Sequence, residues 1–136
     1  MPVVDASVCV ALFNAGESAH AAAVAWFAAA GLGEEPIVAP VILLAEVGAA
    51  LGRAGLDSVS SRAVVELLRG RRMLELFPVD EMLAARAAAI AAAHHIRGAD
   101  AIYVALADQL AIALITFDRH QLERGPQVVE TRMPTT

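Results

Sequence analysis

Short apolar runs alternate along this chain with helical stretches of ten or more residues, and that alternation constrains the fold more than any other feature. Val3-Val4, the proline-bracketed Pro36-Ile37-Val38-Ala39-Pro40, Leu74 to Val79 and Ala113 to Phe117 read as strands. Between them, helices are expected from Ser18 (as cap) to Ala30, ended by Gly31, from Val41 to Arg53, and from an Asp57 or Ser58 cap to Arg69. Two more follow, from Asp80 to about His94 and from Ala99 to Leu110, separated by Arg97-Gly98. Asp118 to Arg124 is a polar turn or short helix, and Gln127 to Glu130 a final edge strand. Such βα units predict one helix-rich α/β domain around a parallel sheet. The domain is expected over residues 1–130, with a tail over 131–136.

Composition agrees. At 136 residues the chain has enough length for one good core. Apolar residues make up 58% and aromatics only 4%, and 31 alanines favour closely packed helices. No stretch reaches the roughly 20 strongly apolar residues of a spanning helix, and no basic residue precedes Arg53 as a secretory leader would need. Cys9 is the single cysteine, so a soluble protein of the reducing cytoplasm is expected. Its flanks Val8 and Val10 mark it as a buried small hydrophobe.

Charge narrows the function. The chain carries ten arginines, no lysine and a net charge of −5, with five acids and no arginine in residues 1–52. Without excess positive charge, nucleic-acid chemistry must rest on bound cations or local arginines. The missing lysine removes Walker A phosphate loops, haloacid-dehalogenase-like phosphatases and phospho-receiver domains.

Most of the fifteen acids occupy turns, helix first turns or solvated faces. Four do not. Asp5 ends Val3-Val4, and Asp118 ends Ala113–Phe117. Glu46 lies within Val41–Leu51, with Ile42, Leu43, Ala49 and Ala50 as its helix-face neighbours. Asp100 opens Ala101–Ala107. Taken singly, Asp5 could equally cap a helix, Asp100 be an ordinary first-turn acid and Asp118 a surface turn residue; Glu46 is hardest to place without a role. An unpaired buried carboxylate costs several kcal/mol, and no arginine is built into these runs. A bound metal is the economical partner. Asp5 and Asp118 also fall at strand ends, where open parallel sheets hold ligands. Oxygen-only ligands suit Mg²⁺ or Mn²⁺ rather than zinc.

At Val4-Asp5-Ala6-Ser7, Leu44-Ala45-Glu46-Val47, Arg97-Gly98-Ala99-Asp100-Ala101 and Ile115-Thr116-Phe117-Asp118 the chain resembles PIN-domain ribonucleases, specifically VapC-type toxins of toxin–antitoxin pairs. Each piece is weak alone; the ordered set spans nearly the whole chain and is specific. The resemblance implies a three-layer α/β/α sandwich with a central, mostly parallel sheet, homodimers, a cognate antitoxin, and hydrolysis of single-stranded RNA with Mg²⁺ or Mn²⁺. It implies Asp5, Glu46, Asp100 and Asp118 as metal-binding catalytic acids, with Ser7 and Thr116 in support. Arg119-His120 stands where many members carry a further acid or amide, leaving four acids and a His120 that approaches the phosphate.

Two other readings compete: a non-catalytic module of the same fold, and a DNA-directed nuclease. Arg69, Arg71 and Arg72 form a basic cluster, read as a solvated helix end or an RNA or dimer contact. His94 and His95 are adjacent and diverge by about 100° on a helix, so they do not chelate together. Trp26-Phe27 is expected in the core or an interface.

Overall fold

Five short strands, all parallel, form one sheet in the order β3-β2-β1-β4-β5, with helices connecting them. The computed structural model describes residues 1–70 and 72–135, apart from the side chain of Leu32. In chain order the elements are β1 (Val3–Val4), α1 (Ala6–Phe13), α2 (His20–Leu32), β2 (Val38–Pro40), α3 (Ile42–Arg53), α4 (Ser58–Arg69) and β3 (Glu75–Phe77). Then follow α5 (Glu81–His94), α6 (Gly98–Leu110), β4 (Leu114–Ile115), α7 (Arg119–Arg124), a 3-10 turn (Gly125–Gln127) and β5 (Thr131–Arg132). The result is the expected three-layer α/β/α sandwich, with a sheet that is wholly parallel.

The central strands are buried on both faces, which is why they read as unbroken apolar runs instead of alternating ones. Val3, Val4, Leu114 and Ile115 are all fully buried. α6 packs against β1, β2 and β4, and buries Ala101 and the whole run from Tyr103 to Ala107. α5 lies against α6 and buries only Leu83, Ala87 and Ile90, a single stripe at helical spacing. Trp26 is in the core, edge-on to Phe27 at 5.1 Å, and Cys9 is buried with its thiol pushed up to about 12 by burial.

Three local readings need correction. α2 begins at His20 without a side-chain cap, so Ser18 does not start it, and it runs past Gly31 to a Gly33 cap. The edge strand is Thr131–Arg132 and not 127–130, which places two residues of the expected tail in the sheet. Its pairing is possible because Gly125 lies against Thr131: a Cβ at position 125 would fall 2.5 Å from Thr131 Oγ1. The break between α5 and α6 is made by His95, which adopts a left-handed cap conformation at φ 54°. Among the described residues, no helix is long and apolar enough to cross a membrane.

Candidate active site at the carboxyl ends of β1 and β4

The chain runs outward from β1 through β2 to β3 on one side, and from β4 to β5 on the other. This reversal between β1 and β4 is a topological switch point, where open α/β sheets form their ligand crevice. Asp5 follows β1 directly, and Asp118 follows β4 by three residues. Each also caps the next helix. Asp5 Oδ1 accepts from the Ser7 N–H (3.1 Å) at the start of α1, and Asp118 Oδ1 accepts from the His120 N–H (3.1 Å) at the start of α7. Asp5 is thus a strand-end cap, one of its two readings, and Asp118 caps a helix too, while both stand at the mouth of the crevice.

Two hydroxyls tie the strand ends together. Ser7 Oγ donates to Asp5 Oδ1 at 2.5 Å and accepts from the Phe117 N–H at 2.9 Å. Thr116 Oγ1 donates to Asp5 Oδ2 and accepts from the Asp118 N–H at 2.9 Å. Asp5 is 4% exposed, and burial raises its carboxyl to about 7. The Ser7 and Thr116 bonds pull against that rise, and the neighbouring charges of Asp118 and Asp100 add to it.

Asp100 sits in the first turn of α6, where Gln121 Nε2 donates to its carbonyl at 3.0 Å. Burial raises its carboxyl, Arg97 opposes the rise, and Asp118 reinforces it. The runs that carry these acids hold no arginine, but Arg97, just outside them, serves two of the acids. Its Nε lies 2.8 Å from Asp100 Oδ2 and its Nη2 lies 3.2 Å from Asp118 Oδ2, so one guanidinium bridges both. The i,i+3 spacing of Arg97 and Asp100 is legible in the chain; the reach to Asp118 is not, because it depends on α6 packing against β4.

Glu46 stands apart from that trio. It accepts from the Tyr103 hydroxyl at 2.5 Å, and it lines a groove of about 410 Å³ with Ser7, Phe117 and Asp118. Burial together with the Glu46 bond strongly raises the Tyr103 hydroxyl, so it remains a donor. Nothing in its apolar run marked Tyr103 as a partner for an acid. Larger cavities of about 630 Å³ lie beside α2 and hold none of the four acids.

The acids therefore share one end of the sheet without being drawn to one point. Among the described residues, no three His, Cys, Asp or Glu side chains stand close enough to grip a metal ion as arranged. The acids hold the nearest donors instead, a guanidinium and three hydroxyls. The donor chemistry still fits a hard divalent cation: all four are carboxylates, and two already share a single cationic group. Of the basic cluster, Arg69 and Arg72 are not at this site. Arg69 pairs with Glu66 at 3.5 Å, Arg72 is exposed beside α2, and Arg71 lies outside the described residues. His94 bonds Gln127 (2.9 Å), and His120 flanks Asp100 in a separate small pocket.

Comparison with solved structures returns the same fold. VapC20 of Mycobacterium tuberculosis, described as a toxin that cleaves the sarcin-ricin loop, superposes with a TM-score of 0.77 at 21% identity over 90% of this chain and 95% of its own. FitAcB of Neisseria gonorrhoeae gives 0.69 at 24% identity over 98% of each chain. VapBC2 of Rickettsia felis, solved on a fragment of promoter DNA, gives 0.68 at 14% over 96% of each. No curated protein sequence matches. The PIN domain model matches residues 3–125, nearly the full span from β1 to the turn after α7, and by that match the chain belongs to the PIN-domain family, a nuclease fold.

Proposed function

We propose that this protein is a Mg²⁺- or Mn²⁺-dependent endoribonuclease that hydrolyses phosphodiester bonds in single-stranded RNA, as the toxin of a toxin–antitoxin pair. The observation that carries the reading is the grouping of Asp5, Asp100 and Asp118 around the switch point, where each of the other two raises Asp5. Glu46 reaches the same region from α3. Asp5, Glu46, Asp100 and Asp118 would hold the cation. When bound, it lowers the pKa of a water and stabilises charge on the phosphate.

The chain's own groups then divide the work. Ser7 and Thr116 fix both oxygens of Asp5, and Tyr103 fixes Glu46. Asp100 and Asp118 have side chains 16% and 24% exposed, so they face the substrate while Asp5 stands behind them. An acid on that open side takes the proton of the attacking water. The toxin role and an antitoxin partner draw support from the fold shared with VapC20, described as a toxin, and with a toxin–antitoxin complex from Klebsiella pneumoniae; homodimer formation is part of the same proposal.

Purified protein should cleave single-stranded RNA with Mg²⁺ or Mn²⁺, and fall silent with EDTA or as Asp100→Asn. Binding of several RNAs without cleavage by any preparation freed of antitoxin would instead establish a binding module. Preferential cleavage of DNA in competition would make it a DNA nuclease.

A further inference from the structure

Arg97 is the only arginine among the described residues whose guanidinium contacts two of the four acids, yet its side chain is 71% exposed. As the N-cap residue of α6 it makes no capping bond of its own. Beside it lies a cavity of about 90 Å³, room for about three water-sized groups. Its lining includes His95, Arg97, His120 and Arg124, together with Asp100. Arg124 is held there by a 3.3 Å bond from Nη1 to the His94 carbonyl at the end of α5. In a chain of net charge −5, this gathers two guanidiniums and two imidazoles around one small space at the edge of the catalytic acids.

We propose that this cavity is a binding site for a phosphate of the RNA substrate, and that Arg97 alternates between it and the acids. The guanidinium partly neutralises Asp100 and Asp118. A divalent cation held by those acids would supply that charge in its place, and the planar fork of Arg97 would then be able to meet a phosphate bidentately alongside Arg124. The freed guanidinium would then meet the phosphate's negative charge instead of the carboxylates'. His95 and His120 supply further N–H donors from the cap of α5 and the first turn of α7. The proposal rests on the metal-dependent reading above.

Two readouts, neither of them turnover, test it. Isothermal titration with Mn²⁺ should show Arg97→Gln binding at least about threefold tighter than wild type, because the competing guanidinium is gone. Arg97→Lys, which keeps a charge but loses the fork, should fall between them. Fluorescence anisotropy with a single-stranded RNA in Ca²⁺ should show about tenfold weaker binding for Arg97→Gln, and a similar loss for Arg124→Gln, with a shallower salt dependence in both. Equal Mn²⁺ affinity in wild type and Arg97→Gln, or RNA affinity unchanged in both glutamine variants, overturns this proposal alone. Failure of every protein to bind Mn²⁺ overturns the metal-dependent function and this inference with it.

Discussion

Asp5 shows how costly the burial of a single carboxyl can be. Its carboxyl is raised from 3.8 to about 7, chiefly by burial, so the folded chain holds that proton more tightly than the unfolded one. Between those two values the unfolded state binds fewer protons, and stability falls as pH rises; above about 7 the full penalty is present. Without metal, the stability difference between Asp5→Asn and wild type should therefore widen in favour of the variant by about 2 to 3 kcal/mol from pH 5 to pH 8, read from urea unfolding in EDTA. A gap that does not change with pH would remove the strain assigned to this carboxylate. That Asp5, Asp100, Asp118 and Glu46 were out of place could be read from their apolar neighbours. Among their partners, Ser7 and Thr116 were legible only through the resemblance, Thr116 being 111 residues from Asp5, and Tyr103, 57 residues from Glu46, was not legible at all. Contacts of that separation exist only after the sheet has assembled.

At the scale of elements, the long helices were legible because burial repeats with their own period, as Leu83, Ala87 and Ile90 do on α5. Short elements were not. The edge strand has two residues, and its pairing depends on Gly125 admitting the Thr131 side chain, a fit with no sequence signature. Gly125→Ala should force that strand away from β4 and cost about 1 to 3 kcal/mol, with amide exchange at Leu114 and Thr116 accelerated ahead of the central helices. The carbonyls of Glu130 and Arg132 accept from those two N–H groups, so loss of the strand unpairs them. Unchanged exchange at both would show that β5 tolerates the methyl.

For the whole molecule, the proposed cation site at the switch point would couple metal binding to stability. A cation that binds only the folded chain stabilises it by mass action, about 2.7 kcal/mol at a hundredfold excess over its Kd. For a chain of this size that corresponds to a rise in Tm of about 10 °C, to be seen by calorimetry with Mn²⁺ and lost in Asp118→Asn. No Mn²⁺-dependent rise in the wild type would count against a metal centre at the acids. The double duty of Asp5 and Asp118, each starting a helix with one oxygen, has an evolutionary consequence. An amide at either place keeps an acceptor for the helix start, and aspartate and asparagine codons lie a single base apart. A chain that keeps both helix starts but lacks one of the four acids is therefore one point mutation away.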